Sequence, residues 1–193
     1  ALAGPRNDGR LFIPELAEKG VRAFVVSNAG SLPPLKNVAF IEVPDVLEAL
    51  QHLAAFHRTR FDFPVIGITG SNGKTVIKEW LNDLLSENFS IVRNPKSYNS
   101  QIGVPLSVWL MQPDNNLGIF EAGISQPGEM VKLEKVIRPD IGIFTNIGDA
   151  HQENFTSIAQ KVEEKLRLFI RCRRLVYCLD QPVVSELIGR FCE

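Results

Sequence analysis

The apolar run Val65-Ile66-Gly67-Ile68-Thr69 leads straight into Gly70-Ser71-Asn72-Gly73-Lys74-Thr75. The residues that follow place Val76, Ile77, Trp80, Leu81, Leu84 and Leu85 along one helical face. A buried strand that passes through a glycine loop into a helix confines the chain to few architectures. The loop directs backbone N–H groups, and the positive end of the helix dipole, towards one point. That arrangement suits a polyphosphate such as that of ATP, with Gly70, Ser71, Asn72, Gly73, Lys74 and Thr75 as its binding loop. Lys74 would bring a point charge to the phosphate oxygens, and the Thr75 hydroxyl a ligand for their Mg²⁺. The strict pattern G-x-x-x-x-G-K-[ST] requires glycine at 68. Ile68 stands there, so the loop is the shortened form G-x-x-G-K-T.

The rest of the chain repeats the alternation of strand and helix. From Phe63 onward, strands are expected at 65–69, 89–93, 117–121, 140–146 and 174–179. Helical patterns lie between them at 74–87, 102–111, 127–137, 156–171 and 182–191. Apolar strands separated by helices predict an α/β fold with a P-loop-type, mostly parallel sheet covered by helices on both faces. Before it, a helix near 11–19, strands at 22–27 and 38–43, and a helix opened by Pro44 predict a partial small α/β domain. A boundary is expected near Asp62, giving units 1–62 and 63–193. The start at Ala1-Leu2-Ala3-Gly4 resembles the end of a strand, and Glu193 follows closely on a helical pattern. Both ends suggest a piece of something larger.

Bulk properties exclude several classes. The 193 residues carry a net charge of −1 with dispersed basic groups, which argues against a nucleic-acid surface. The one local concentration, Lys161, Lys165, Arg167, Arg171, Arg173 and Arg174, reads as a solvated helix face. No apolar run reaches the length of a membrane span, and no signal peptide is visible. Three cysteines (Cys172, Cys178, Cys192) lack metal-ligand spacing, and their odd number argues against a disulfide framework. A soluble, cytoplasmic protein is expected.

In a parallel sheet ligands gather beyond the carboxyl ends of the strands, so residues at those ends are the candidates. Glu121 ends the strand Leu117-Gly118-Ile119-Phe120 and could hold Mg²⁺ opposite Thr75. His151 follows Asn146-Ile147-Gly148-Asp149-Ala150 on the same edge and is a candidate metal ligand, with Asp149 as its lesser competitor. Lys165, among Val162, Leu166, Leu168 and Phe169, reads from its helix alone as a solvated lysine.

Five segments taken together resemble the Mur ligases. They are Gly67 to Thr75, Asn99-Ser100-Gln101-Ile102-Gly103-Val104-Pro105, Glu121-Ala122-Gly123, Asn146 to His151, and Lys165-Leu166-Arg167-Leu168-Phe169, in the order and approximate spacing of that family. Glu-x-Gly after the third strand is most similar to the member that adds D-alanyl-D-alanine to UDP-N-acetylmuramoyl-tripeptide. The resemblance implies an ATP-dependent amide-forming ligase of peptidoglycan synthesis that works through an acyl phosphate. Lys74 would contact the β/γ-phosphates, while Thr75 and Glu121 would serve one Mg²⁺. His151 would serve a second Mg²⁺ with Lys165, the latter carbamylated by CO₂. Asn99 would lie near the γ-phosphate and the substrate carboxylate. The first 62 residues resemble the end of a UDP-sugar-binding domain, although Asp8-Gly9-Arg10-Leu11-Phe12 departs from the family's Asp-x-His-x-Phe.

The resemblance further implies that the adenine contacts and the C-terminal domain lie beyond Glu193, so the segment alone is expected to be inactive. Fusion to an alanine racemase is a variant known in this family that no residue here decides. The rivals are a folylpolyglutamate synthase-like ligase, a P-loop switch ATPase without ligase activity, and a non-catalytic nucleotide-binding scaffold.

Overall fold

The computed structural model describes residues 1–193 apart from Pro5, Arg6, Pro33, 149–153 and Glu193. The chain divides into two compact units, Ala1–Leu50 and Gln51–Glu193. In the first, the Asp8 carboxylate caps a 3₁₀ turn, Gly9–Phe12, by accepting the Arg10 N–H, and it also pairs with the Arg10 guanidinium. The turn runs into α1 (Ile13–Glu18). Strands β1 (Ala23–Val26) and β2 (Ala39–Glu42) pair in parallel, from Ala23 opposite Ala39 to Val26 opposite Glu42. Ile13, Phe24 and Val26 form the buried centre of this unit. The expected strand end at the start of the chain is reduced to one antiparallel bridge between Ala3 and Asp8.

Helix α2 (Val46–Arg58) spans the division between the units. Asp45, and not Pro44, opens it, since the Asp45 carboxylate accepts the N–H groups of Leu47 and Glu48. Its later turns belong to the second unit. Ala54 enters that core, and the buried Arg58 donates to the carbonyls of Ile137 and Phe61.

The second unit is built on a five-stranded parallel sheet. Its strands are β3 (Val65–Thr69), β4 (Ile91–Arg93), β5 (Leu117–Glu121), β6 (Ile141–Phe144) and β7 (Arg174–Tyr177). Their spatial order is β4-β5-β3-β6-β7, with every pair parallel. The helices are α3 (Lys74–Leu85), α4 (Gly103–Val108), α5 (Glu129–Ile137), α6 (Ile158–Leu166) and α7 (Pro182–Cys192). The chain leaves β3 for the β4 edge, then passes from β5 to β6 on the other side of β3. The strand order therefore reverses between β3 and β5, which places a crevice at their carboxyl ends.

Alternation along the strands decides which helix covers which face. Ile66, Ile68, Leu117 and Ile119 meet Ile77, Leu81 and Leu85 of α3. On the opposite face, Val65, Phe120 and Phe144 join a larger core with α4, α5, α6 and α7, through residues such as Val108, Leu133, Val162 and Leu187. The apolar face expected for α3 is too wide for one sheet. Ile77, Leu81 and Leu85 pack inward, whereas Val76, Trp80 and Leu84 are 50%, 65% and 74% exposed.

The strand expected over 140–146 ends at Phe144; the Thr145 N–H still donates to Thr69 O, and Asn146 then turns to bond the glycine loop. The helix expected over 156–171 ends at Leu166 and tightens into a 3₁₀ turn, Arg167–Phe169. No helix among the described residues is long and apolar enough to cross a membrane.

Packing is tight where β6 passes beneath that turn. A Cβ placed on Gly142 would lie 2.5 Å from Phe169 Cδ1 and 2.9 Å from Leu175 Cδ1. Phe169 is itself held in the core and has little room to yield. Gly142→Ala is expected to destabilise the protein by about 1–3 kcal/mol, read as a lower urea midpoint at constant slope. An unchanged midpoint would mean that the turn gives way freely.

Candidate active site

Strand β3 delivers the chain into the glycine loop at the crevice between β3 and β5. Gly70 has φ +143°, and a Cβ there would lie 2.0 Å from Thr145 Oγ1, so only glycine fits. Gly73 sits at the N-cap of α3 in the left-handed region and supplies no side-chain cap. The N–H groups of the first turn thus keep their capacity to bind an anion.

The segment after β6 straps the other side of the loop. Ser71 N–H donates to Asn146 O at 2.8 Å, Asn72 N–H to Asn146 Oδ1 at 3.0 Å, and Thr145 Oγ1 to Asn72 O at 2.6 Å. Ser71 Oγ also accepts from Gly148 N–H at 3.0 Å. Three residues after β6, Thr145, Asn146 and Gly148, therefore shape a loop more than seventy positions earlier in the chain.

Two lysines reach the same carbonyl of this loop. Lys74 Nζ donates to Gly70 O at 2.9 Å and Ser71 O at 3.1 Å. Lys165 Nζ, from α6, donates to Gly70 O at 3.1 Å. A third lysine, Lys161, donates to Gly148 O one helical turn before Lys165. Burial holds the Lys74 ammonium below its ordinary pKa, with Glu121 partly offsetting the effect. Lys165 is lowered to about 7, first by desolvation and then by repulsion from Lys74 and Lys161.

This corrects the reading of the basic run as a solvated face. Lys161 and Lys165 are 2% and 3% exposed. They lie one turn apart on the same stripe as Val162 and Leu166, which faces inward. The setting of α6 is fixed from both ends: Ser157 caps its start, and Glu164 accepts the N–H groups of Gly128 and Met130 at the start of α5.

Across the crevice, Thr75 Oγ1 donates to Glu121 at 2.9 Å from Oε2 and 3.1 Å from Oε1. The Glu121 side chain is wholly buried and ends β5 as expected. A hydroxyl and a carboxylate in contact form an oxygen donor pair suited to a hard cation. Among the described residues no group of three His, Cys, Asp or Glu could hold a metal unaided. A cation at Thr75 and Glu121 would therefore complete its shell with ligand oxygens and water, as Mg²⁺ commonly does. Asn99 lies beside the segment after Glu121, with Asn99 O accepting the Gly123 N–H at 2.8 Å. His151 and Asp149 lie outside the described residues. His57 packs between Phe61 and Trp109.

Two residues of this site carry no obvious sequence signal. Lys78 occupies a mid-helix position on α3 where a charge normally faces water, yet it is fully buried against Glu121. Asn94 clamps Glu121 from the end of β4: Glu121 N–H donates to Asn94 Oδ1 at 2.6 Å, and Asn94 Nδ2 donates to Glu121 O at 3.3 Å. Only the spacing of Lys78 from Thr75, about one helical turn, hinted that it shares the Thr75 side of α3.

Comparison with known proteins bears on the family and the fold. The model of the Mur ligase middle domain matches residues 68–192. The chain is 34% identical to the UDP-N-acetylmuramoyl-tripeptide–D-alanyl-D-alanine ligase of Bacillus subtilis, over 96% of this chain and 41% of the relative. The ligase of the same name from Synechocystis is 38% identical over 78% of this chain and 33% of the relative. A MurF ligase from Thermotoga maritima, solved in complex with ADP, superposes with a TM-score of 0.87 at 28% identity, covering 99% of this chain and 44% of that one. MurF from Acinetobacter baumannii, at 24% identity and a TM-score of 0.90, shares the fold over 100% of this chain and 42% of its own. The chain thus spans about two fifths of the length of the first curated relative. The family model covers well over half the chain, in a stretch that holds the glycine loop, Glu121 and Lys165, and the protein belongs to the Mur ligase family.

Proposed function

We propose that this chain is the phosphate- and metal-binding core of an ATP-dependent ligase that joins D-alanyl-D-alanine to UDP-N-acetylmuramoyl-tripeptide in the cytoplasmic steps of peptidoglycan synthesis. The observation that carries the reading is the convergence of Lys74, Lys165, Thr75 and Glu121 on one end of the sheet, around Gly70 O and the first turn of α3. The glycine loop binds the phosphates of ATP through the backbone of Gly70, Ser71, Asn72, Gly73, Lys74 and Thr75. The names of the relatives and the ADP held by the Thermotoga protein support the nucleotide and the substrates.

The chemistry requires two anions to meet. The tripeptide carboxylate must attack the γ-phosphorus, breaking its bond to the bridging oxygen so that ADP leaves and an acyl phosphate forms. The dipeptide amine then attacks the acyl carbon, forming the amide and losing a proton as phosphate leaves. Lys74 lowers the repulsion in the first step and stabilises charge on the transferring group. Bound Mg²⁺ would add Lewis-acid neutralisation of the phosphate oxygens. Thr75 and Glu121 would supply protein ligands at one position, and His151 and Lys165 at the second. Asn99, beside Gly123, orients the substrate carboxylate near the γ-phosphate.

Lys165 acts after N-carboxylation by CO₂. An ammonium this close to Lys74 and Lys161 would repel a cation, whereas a carbamate offers it two anionic oxygens. Attack on CO₂ requires the free amine, and the lowered pKa of about 7 provides it near neutrality. Among rivals, a P-loop switch has no use for a buried lysine set against the loop carbonyl.

In a full-length ligase carrying this segment, phosphate release should require both UDP-N-acetylmuramoyl-tripeptide and D-alanyl-D-alanine. Release indifferent to either substrate would sink the assignment. Lys165→Ala should abolish turnover, with partial recovery on adding short carboxylates; undiminished turnover would remove the carbamate. With ¹³C-labelled bicarbonate, a carbamate resonance absent from Lys165→Ala should grow as pH rises through about 7, where the ammonium gives way to the amine. A resonance that fell with rising pH in that window would contradict the assignment.

A further inference from the structure

Lys78 is among the largest fully buried side chains of the described residues, and no step described above uses it. It lies on the buried side of α3, roughly one turn beyond Thr75. Its Nζ is 3.5 Å from Glu121 Oε1 and 3.2 Å from Glu79 Oε1. It also donates to Asn94 O at 2.9 Å and to Lys96 O. Glu79 in turn pairs with Arg93 at 2.8 Å, so the ammonium is not simply the partner of its neighbour in sequence.

We infer that Lys78 is a positioning residue for the metal-binding carboxylate: it holds Glu121 Oε1 and the Asn94–Lys96 turn together, and thereby aims Glu121 Oε2 at the cation beside Thr75. This rests on the proposed role of Glu121 as a Mg²⁺ ligand.

Three features of the geometry carry the inference. First, the two carboxylate oxygens are inequivalent. The ammonium approaches Oε1, while the closer contact of Thr75 is with Oε2 at 2.9 Å. Second, Glu121 is held at its backbone by Asn94, whose own carbonyl Lys78 captures. Side chain and main chain of the ligand are thus tied to one ammonium. Third, Lys96 has φ +51°, a conformation that a non-glycine residue adopts only when its surroundings impose it. The bond from Lys78 to Lys96 O is one such constraint, and Asn94 Nδ2 adds another by donating to Tyr98 O at 2.7 Å. The turn leads directly to Asn99, so the same lysine links the metal ligand to the substrate side of the crevice.

Charge and position make opposite predictions for the loss of Lys78. If the ammonium only opposed a nearby cation, a neutral side chain would tighten Mg²⁺ binding. If it positions Glu121, the released carboxylate would turn away and binding would weaken. Partners in the shell outside metal ligands typically contribute on the order of 10- to 100-fold in affinity.

The test is a Mg²⁺ titration of ATP binding, followed by calorimetry, on the wild type, Lys78→Met, Glu121→Gln and the double variant. Lys78→Met should raise the half-saturating Mg²⁺ concentration by about 10- to 100-fold. The double variant should be no worse than Glu121→Gln, because Lys78 acts through that carboxylate. Circular dichroism checks folding. Should the uncompensated carboxylate unfold Lys78→Met, Lys78→Gln keeps a donor to the two carbonyls and serves as the single variant. Wild-type Mg²⁺ dependence in a folded Lys78 variant, tighter Mg²⁺ binding, or additive losses in the double variant would each overturn the inference. If Glu121→Gln alone leaves the Mg²⁺ dependence unchanged, the metal role of Glu121 falls first, and the role of Lys78 falls with it.

Discussion

The carbonyl oxygen of Gly70 receives two lysine side chains, Lys74 at 2.9 Å and Lys165 at 3.1 Å. Like charges are gathered in a buried place, with Lys161 adding a third nearby. The folded state must then hold Lys165 with fewer protons than the unfolded chain. Between about 7 and the ordinary 10.5 the unfolded state binds the extra proton, so this group's contribution to stability rises with pH and is least favourable below about 7. The same disadvantage is useful chemically. On the proposed function, a polyphosphate would neutralise the cluster, and an amine near neutrality could be converted to an anion.

The sheet makes that concentration possible. Because every strand is parallel, each strand end delivers its next few residues to one edge, and the reversal of order between β3 and β5 opens the crevice there. The residues after β6 then bond the glycine loop through Thr145, Asn146 and Gly148. Helix α6 is aimed by Glu164, which caps the start of α5, where Gly128 offers no side-chain cap. Lys161 and Lys165 are thereby turned towards the loop. Position follows from main-chain hydrogen bonding, and the unusual charge follows from position.

How much of this was readable beforehand depends on sequence distance. The strand, loop and helix of Val65 to Leu85 are contiguous, so composition and periodicity located these elements without any knowledge of packing. Glu121 was legible as the last residue of an apolar strand. The burial of Lys165 was not, because it depends on the rotation of α6, and a lysine at helical spacing looks the same whether it faces water or a loop. Lys78 was invisible for the same reason, since its carboxylate partner lies on another strand. Trp80 and Leu84 erred in the other direction: apolar at helical spacing, they face outward because α3 carries more apolar residues than one sheet face accepts. The role proposed for Lys165 as a metal ligand came from resemblance to a family; its pKa, lowered to about 7, is compatible with that proposal.

The central claim is that a nucleotide's phosphates and a divalent cation meet between Lys74, Thr75 and Glu121. Its most direct test is a crystal structure with a non-hydrolysable ATP analogue and Mn²⁺, located by anomalous scattering. The account predicts an anomalous peak within coordination distance of both Thr75 Oγ1 and Glu121 Oε2, with the phosphates against the first turn of α3. Phosphates bound elsewhere, or a cation that leaves Glu121 in contact with Thr75 alone, would contradict it.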